Sequence, residues 1–308
     1  MFTDQNGVRR YKINLHTHTS MSDGHRTPVE AMAVYAAEGY DMLAITDHWI
    51  WTPGGEYDLQ MQDGSVRHLT LISGCEYHAG GGDSREGVFH ILALGCPTEP
   101  DLHVSLLDDD SLTCIERARI IIDKIHEAGG LAVMAHPAWS LNTYEQLKAT
   151  LPYDATEIYN SVSEWGMSDR PYSGLEVDEL AADEVYLPLL ATDDTHYYDG
   201  DQCRGRLMAE ADAVDRLGLI EAIRQNRFYA TTGPELLLER VDEDTVRLTC
   251  SPCVRIAFLS HLVWVSERMT RGEGLTGAVY HFKKNERYVR AEVTDADGHT
   301  AYSRIIVR

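Results

Sequence analysis

Histidine and carboxylate residues recur over about the first two thirds of this 308-residue sequence, each close to one end of a short apolar run. Nine of them stand out: His16, His18, Asp23, His48, Glu76, His90, His136, Asp194 and His196. Imidazole and carboxylate ligands together suit Zn²⁺, Mn²⁺ or Fe²⁺ better than Ca²⁺ or an iron–sulfur cluster. Such a set is too large for one ion and about right for two or three ions that share carboxylates. The pattern therefore predicts a multinuclear metal site.

The motifs are weak individually and informative together. His16 and His18 are two residues apart, and such residues on a strand point to the same side, so both imidazoles can reach one ion. A single histidine at a strand end is more often a hydrogen-bonded structural group, and His-x-His or Asp-x-His often arises by chance. Packing requirements alone do not explain such residues at successive strand ends, which favours the metal-site interpretation.

Short apolar runs that alternate with helical patterns must position these residues, and this alternation is typical of an α/β protein. The runs before about Pro234 are Lys12–Leu15, Met42–Thr46, Leu69–Ser73, Val88–Leu94, Leu131–Ala135, Ala155–Tyr159 and Pro188–Thr192. Between the first two runs, Thr27, Pro28 and Glu30 mark the start of a helix that ends at Gly39. Further helices are predicted from about Ser111 to Ala128 and near Tyr144–Ala149, Leu175–Asp183 and Val214–Gln225.

Parallel strands of an α/β barrel bring their carboxyl ends to one rim, where such folds build active sites. The strand ends that carry His, Asp or Glu should therefore converge. His90 instead begins its strand. It can join the others if Leu69–Ser73 and Val88–Leu94 run antiparallel, connected by the glycine-rich loop Ala79–Gly87. We therefore expect a distorted barrel.

The pattern changes from about Glu235 onward, where helical periodicity fades. The β-rich runs there are Thr245–Thr249, Val254–Leu259, Ala278–Phe282, Tyr288–Thr294 and Ala301–Val307. Turn signals such as Asp297-Gly298 separate them. We therefore predict a barrel over residues 1–234 and a small β-rich C-terminal domain over residues 235–308, the latter without a catalytic constellation.

Acidic residues outnumber basic ones, 49 against 27, for a net charge of −22. This charge repels nucleic acids and anionic membranes, so neither is expected as a partner. A small anionic substrate stays compatible, because bound metal ions would dominate the local field. The start lacks a signal-peptide pattern, no run is long enough to cross a bilayer, and six scattered cysteines make no disulfide framework. We expect a cytoplasmic protein; its oligomeric state is not indicated.

Taken in order, the motifs H-T-H-T-x-x-S-D-G, T-D-H, G-x-E, a histidine within an apolar strand, A-H-P and D-x-H resemble those of the PHP (polymerase and histidinol phosphatase) superfamily. The resemblance covers Tyr11–His196 and fills every expected ligand position. It implies a distorted (β/α)7 barrel with a trinuclear metal centre. Some branches of the family have histidine where this chain has Asp23, and the chain looks like the Asp branch of small-molecule metal-dependent phosphoesterases. The β-rich tail departs from the minimal family pattern.

The resemblance also implies how the ligands are shared among three ions. One ion would be held by His16, His18, Glu76 and Asp194. A second would be held by Glu76, His90 and His136, with Glu76 bridging the two. A third would be held by Asp23, His48 and His196.

The predicted activity is hydrolysis of a phosphate ester of a small metabolite by metal-activated hydroxide. We assign catalytic roles to Glu76, Asp194 and His196. Asp47 and Asp193 adjoin ligands and are interpreted as partners that orient imidazoles. Further candidates for substrate contacts are His78, Asn160, Arg170, Arg204 and Arg206, of which the arginines offer planar forks for phosphate oxygens.

Two other functions fit the same ligands. The ions could act on a carbonyl carbon and hydrolyse a carbamate, an ester or an amide. The chain could also be a metal-binding module without catalysis, although degenerate sites usually lose ligands and none is missing here. The ligand set does not distinguish a phosphomonoester from a cyclic diester.

Overall fold

The computed structural model describes residues 2–4, 7–81, 83, 85–107, 109–210 and 213–308. The strands are β1 (Phe2–Thr3), β2 (Arg9–Asn14), β3 (Met42–Ala44), β4 (Gly55–Gln60), β5 (Val66–Ile72), β6 (Gly74–Ala79), β7 (Phe89–Leu94), β8 (Leu131–Met134), β9 (Ala155–Asn160), β10 (Leu189–Thr192), β11 (Arg206–Ala209), β12 (Phe228–Thr231), β13 (Leu236–Arg240), β14 (Thr245–Leu259), β15 (Met269–His281), β16 (Tyr288–Thr294), β17 (Thr300–Tyr302) and β18 (Ile306–Val307). The α-helices are α1 (Pro28–Ala37), α2 (Cys114–Glu127), α3 (Pro137–Ser140), α4 (Tyr144–Ala149), α5 (Gly174–Ala182) and α6 (Arg216–Arg224). A 3₁₀ turn at Val104–Leu106 and a π-helical turn at Ser163–Met167 complete the described helices.

The strands form two sheets. The larger has the order β13-β14-β16-β17-β12-β11-β2-β3-β5-β4, with β1, β15 and β18 paired to β2, β14 and β16. The smaller has the order β10-β9-β8-β7-β6. Strands β2, β3 and β5 run parallel, and so do β8, β9 and β10. The protein is therefore a mixed α/β protein, as the sequence predicts.

The two sheets meet at the carboxyl ends of their parallel strands. Single parallel bridges join Thr17 to Thr195 and His48 to Glu76. Among the described residues, these bridges take the place of continuous ladders, so the strands are not paired into a closed barrel. Helices are also fewer than a regular (β/α)7 repeat requires, because β5, β6 and β7 follow one another without one.

The antiparallel arrangement expected of Leu69–Ser73 and Val88–Leu94 is present, but the strand that pairs with β7 is the segment after the first run. The sequence interpretation placed Glu76 at the end of the first run, whereas Glu76 lies within a separate strand, β6, which pairs antiparallel with β7. The chain changes sheets at Gly74, where an added Cβ would lie 2.6 Å from the carbonyl oxygen of Ile45. The glycine is needed because β6 passes so close to the segment after β3.

Helix α1 begins as its sequence predicts. Thr27 caps the first turn, its side chain accepts a hydrogen bond from the Glu30 amide, and the Glu30 carboxylate completes the capping box. The same arrangement, with Thr113 and Glu116, starts α2 at Cys114, three residues after the predicted Ser111. Helix α4 has the predicted bounds. These local signals fix where each helix enters the fold.

The C-terminal strands continue the larger sheet. The two predicted runs Thr245–Thr249 and Val254–Leu259 form one strand, β14, whereas Ala301–Val307 is split into β17 and β18. Strand β17 pairs with β12, which joins the tail to β11 and β2. The division into two domains stays a prediction. No described helix is both long and apolar enough to span a bilayer.

Candidate metal centre

The nine predicted ligands meet where the two sheets touch. His16 and His18 follow β2, His48 follows β3, Glu76 lies within β6, His90 lies near the start of β7 opposite His78, His136 follows β8, and Asp194 and His196 follow β10. Asp23 lies in the loop before α1. The structure therefore brings together residues that are up to 180 positions apart, His16 and His196 being the outermost.

One group of four ligands is buried. Ligand atoms of His16, His18, Glu76 and Asp194 all lie within 4.8 Å of one another. The closest approaches include 3.1 Å from His18 Nε2 to Glu76 Oε2 and 3.1 Å from His16 Nε2 to Asp194 Oδ1. This is the same set that the resemblance implies for one ion.

Two further groups overlap with the first. His48, Glu76 and His90 form one, and His18, Asp23, His48 and His196 form the other. His136 Nε2 lies 3.3 Å from Glu76 Oε1 and 3.7 Å from Asp194 Oδ2. The grouping therefore differs from the implied one. His48 also lies with Glu76 and His90, and His18 also lies with Asp23, His48 and His196.

The unpartnered atoms of this cluster fit divalent cations. His48 Nδ1, Glu76 Oε2 and Asp194 Oδ1 are buried and have no hydrogen-bond partner. His16 Nε2 and His18 Nε2 face each other across 3.2 Å. Buried polar groups are normally satisfied. Imidazole nitrogens and carboxylate oxygens, which here lie within 4.8 Å of one another, are the ligand atoms that Zn²⁺, Mn²⁺ and Fe²⁺ prefer.

Glu157 is a functional residue that the sequence interpretation missed. It is fully buried on β9, and its Oε1 lies 2.7 Å from His16 Nδ1, so His16 with a proton on Nδ1 donates to it. Thr192 Oγ1 donates to the same oxygen, and the His136 amide donates to Oε2. A carboxylate in this place fixes the tautomer and orientation of a ligating imidazole. The only signal in the sequence is an acidic residue inside an apolar run.

Other ligands are oriented by backbone or hydroxyl groups. His196 Nδ1 lies 2.7 Å from the Asp194 carbonyl oxygen, and His136 Nδ1 lies 3.2 Å from Ser140 Oγ. His136 and Asp194 have φ values of 28° and 54°, in the left-handed region that non-glycine residues seldom adopt. Strained backbone of this kind is common at functional sites.

Charge interactions keep the carboxylates ready to bind cations. Burial by itself would raise the pKa of Glu76, but the imidazoles of His16, His90 and His136 outweigh it and hold the pKa well below its usual range. Burial would also raise the pKa of Asp194, but neighbouring imidazoles, above all that of His16, lower it. Burial lowers the pKa of His48 to about 4, which leaves its ring neutral with a lone pair available.

Asp47 and Asp193 do not orient imidazoles, contrary to the sequence interpretation. Asp47 accepts hydrogen bonds from the amide and hydroxyl groups of Thr19 and Ser22, and so shapes the loop that carries Asp23. Asp193 accepts from the Tyr35 hydroxyl and from the amides of residues 203–205. Burial raises the pKa of Asp193 to about 7. Both aspartates fix loops rather than ligands.

A cavity of about 590 Å³ opens beside the centre. His48, His78, His90, Trp139 and Arg170 are among the residues that line it. The Trp139 ring lies 4.9 Å from that of His136 and 5.6 Å from that of His90, measured between centroids. This cavity is the space that a substrate of the centre would enter.

The predicted substrate contacts are distributed unequally. His78 and Arg170 line the cavity. Arg204 binds Glu164 and lies over the Trp165 ring, and Arg206 donates to the carbonyl oxygens of Arg204 and Gly233, so both are engaged outside the cavity lining.

Asn160 is buried, and its amide is fully occupied by protein atoms. Its Nδ2 donates to Glu157 Oε2 and Asp194 Oδ2, at 2.9 and 3.1 Å, and its Oδ1 accepts from Ser163. This position suits the holding of Asp194 better than a contact with substrate.

The sequence matches no family model and no curated protein. Among solved structures, the chain is similar to a two-domain protein from Bacteroides vulgatus that contains a predicted PHP-like metal-dependent phosphoesterase, with a TM-score of 0.50, 16% identity, and coverage of 99% of this chain and 98% of that chain. The fold of this chain is therefore similar to that of this two-domain protein over nearly the full length of both chains.

Two other solved structures are less similar. One is an inferred metal-dependent phosphoesterase from Bifidobacterium adolescentis, with a TM-score of 0.41, 16% identity, and coverage of 68% of this chain and 94% of that chain. The other is an amidohydrolase from Chromobacterium violaceum with bound sulfate and no metal, with a TM-score of 0.39, 17% identity, and coverage of 70% and 96%.

Proposed function

We propose that this protein is a metal-dependent hydrolase that cleaves a phosphate ester of a small metabolite. The observation that carries the proposal is the set of unpartnered donor atoms where the sheets meet. His48 Nδ1 lies 3.1 Å from Glu76 Oε2, yet neither atom has a hydrogen-bond partner. An arrangement that directs lone pairs at one another is costly unless a cation lies between them.

We infer that two or three divalent ions, of Mn, Zn or Fe, occupy a trinuclear centre. The proposed ligands are His16, His18, Glu76 and Asp194 for one ion, Glu76, His90 and His136 for a second, and Asp23, His48 and His196 for a third. The absence of thiolates and the mixture of imidazole and carboxylate donors support these metals. The overlap of the groups at Glu76 supports a bridging role for that carboxylate.

Bound ions of this kind supply a nucleophile from water at neutral pH and offset negative charge on the substrate. Glu76, Asp194 and His196 are the residues that we assign to catalysis, because they would hold the ions on which the reaction depends. Arg170 at the cavity wall would bind non-bridging phosphate oxygens through its planar fork. His78, half-buried beside His48 and His90, lines the same cavity and would also contact the substrate.

The principal alternative is hydrolysis of a carbamate, an ester or an amide on the same ligands. Arg170 favours the phosphate ester, because a permanent cation beside the centre recognises an anionic substrate better than a neutral carbonyl compound. A metal-binding module without catalysis is the second alternative. Comparing phosphomonoesters, cyclic phosphodiesters and aryl carbamates as substrates would distinguish these functions.

The proposed function is tested with metal-loaded protein. We expect protein supplied with Mn²⁺ or Zn²⁺ to hydrolyse p-nitrophenyl phosphate, and chelation or His16→Ala to abolish the activity. The control is His103→Ala, because that side chain is 77% exposed and lies outside the centre. Equal turnover before and after chelation and in His16→Ala would refute the metal mechanism.

We also retain several broader proposals. We propose a distorted (β/α)7 barrel over residues 1–234, in which single bridges replace continuous ladders between the sheets, and a small β-rich domain over residues 235–308. All six cysteines are free, which suits the reducing cytoplasm predicted as the location.

A small phosphorylated metabolite is the proposed partner, and the net charge of −22 argues against nucleic acid or an anionic membrane.

A further inference from the structure

A buried arginine connects the C-terminal strands to the part of the chain that carries the metal centre. Arg290 on β16 is fully buried and forms a bidentate pair with Asp178 on α5, with Nε–Oδ1 at 2.7 Å and Nη2–Oδ2 at 2.9 Å. Its Nη1 also lies 2.6 Å from Glu292 Oε1. The guanidinium therefore has a directional partner on each side.

Tyr172 is the third partner of this arginine. Arg290 Nη2 donates to the Tyr172 hydroxyl at 3.2 Å, and that hydroxyl donates to Glu292 Oε1. The Tyr172 ring also stacks on Tyr302 of β17, with 5.9 Å between centroids. Residues of two C-terminal strands thus contact one side chain that precedes α5.

Tyr172 belongs to a short segment that runs beside β9. The Asn160 amide donates to the Pro171 carbonyl, and the Ser173 amide donates to the Ile158 carbonyl, both at 2.9 Å. Tyr159 and Tyr172 form a bridge between these two stretches. Residues 171–173 are therefore held between β9 on one side and the C-terminal strands on the other.

The same segment leads directly to the centre. Arg170 precedes it, donates to the Trp139 carbonyl at 3.3 Å, and lines the cavity beside the metal ligands. Asn160 lies at the end of β9 and donates to Asp194. A displacement of residues 171–173 would move Arg170 and loosen Asn160 together.

We propose that Arg290 and Tyr172 are positioning residues, through which the C-terminal strands hold Arg170 at the cavity and Asn160 against Asp194. The inference deepens the proposed function, and rests on it where Arg170 is taken to bind phosphate. The proposal gives a role to the β-rich tail, in which the sequence predicts no catalytic constellation. Apolar contacts alone would attach the tail at lower electrostatic cost, whereas the charged network adds fixed directions.

Hydrogen exchange tests the positioning without any substrate. Tyr172→Phe removes one hydroxyl and leaves the Arg290–Asp178 pair intact, so the variant should stay folded. We expect faster exchange of the amides of Asn160 and Ser173 in this variant, and faster still in Arg290→Met. The control Tyr57→Phe changes a tyrosine on β4, at the other end of the larger sheet, and should leave both amides unchanged. Unchanged exchange at Asn160 and Ser173 in folded Tyr172→Phe and Arg290→Met would overturn the proposal.

Kinetics test whether the effect passes through Arg170. With p-nitrophenyl phosphate and saturating Mn²⁺, we expect Tyr172→Phe to raise KM about two- to tenfold with a smaller change in kcat. In an Arg170→Ala background, the same substitution should raise KM no further, because the group it positions is gone. An equal increase in both backgrounds would contradict the proposal. Failure of the wild-type protein to hydrolyse phosphate esters would count against the proposed function alone, because the exchange result decides the positioning separately.

Discussion

The carboxylate of Glu76 lies where most of the predicted histidine ligands come together. Five imidazoles lie within 3.4 Å of its carboxylate oxygens, those of His16, His18, His48, His90 and His136. Only the imidazoles of His90 and His136 form hydrogen bonds with the carboxylate, both at Oε1, and Oε2 has no partner. Buried polar atoms left unpartnered so close together distinguish the cluster from a structural hydrogen-bond network.

Glu157 gives the sharpest prediction at the level of a residue. Glu157→Gln keeps the shape but removes the charge that orients His16, so we expect metal affinity to fall by about 10- to 100-fold. Titration of the metal-free protein with Mn²⁺, followed by calorimetry, measures the change.

The control is Glu145→Gln on the exposed side of α4. Affinity in Glu157→Gln equal to that in the control would show that Glu157 has no such role.

The spacing of residues along the chain predicts the candidate ligands, but it does not predict the residues that orient them. His-x-His, Asp-x-His and similar motifs are visible because both residues of each pair lie at the end of one strand. Glu157 contacts His16 from another strand, 141 residues away, so no local pattern indicates it. Asp47 and Asp193 adjoin ligands in sequence, yet their side chains point into loops.

Among the elements, strand β6 could not be predicted from the spacing of apolar residues. In the sequence, Gly74-Cys75-Glu76 reads as the end of the run Leu69–Ser73, and only tertiary contacts reveal that the chain leaves one sheet for the other at Gly74 and continues as β6. Helix starts were predictable because capping is decided within four residues. The strand pairing of Glu76 was not, because it depends on partners distant in sequence.

Substitution at Gly74 tests this element. The Cβ of Gly74→Ala would lie 2.6 Å from the Ile45 carbonyl oxygen and 2.9 Å from Thr46 Cγ2. We expect the free energy of unfolding to fall by about 1–3 kcal/mol, together with metal affinity, because the bridge between His48 and Glu76 is adjacent. Urea unfolding provides the measurement.

Gly81→Ala is the matched control, since an added Cβ there meets no atom within 4 Å. Equal stability of the two variants would mean that the close approach at Gly74 is readily relieved.

For the molecule as a whole, the attachment of the tail depends on Arg290. Arg290→Met leaves Asp178 without its cation and Glu292 with only Arg255, whose Nη2 lies 3.7 Å from Glu292 Oε2. We therefore expect the free energy of unfolding to fall by about 3–5 kcal/mol. Chemical denaturation followed by circular dichroism measures it. Arg271→Met on the exposed strand β15 is the control and should change stability by less than about 0.5 kcal/mol. A neutral Arg290→Met would show that packing alone holds the tail.

Metal binding should also stabilise the whole molecule, because the ligands come from both sheets. At a free Mn²⁺ concentration 100 times Kd, one occupied site adds about 2.7 kcal/mol to the free energy of unfolding. We expect thermal unfolding in Mn²⁺ to occur several degrees above that in chelator. The difference should shrink in His16→Ala, and an undiminished difference there would place the stabilising ion elsewhere.

The bridge between Thr17 and Thr195 has a consequence for how the protein is made. The strands it joins lie near the beginning of the chain and about two thirds of the way along it. Residues 194–196 must therefore leave the ribosome before His16 and His18 can contact Asp194. The proposed metal site would therefore be completed late in translation, and until then the nascent chain would expose imidazoles and carboxylates that other proteins or ions in the cell can reach.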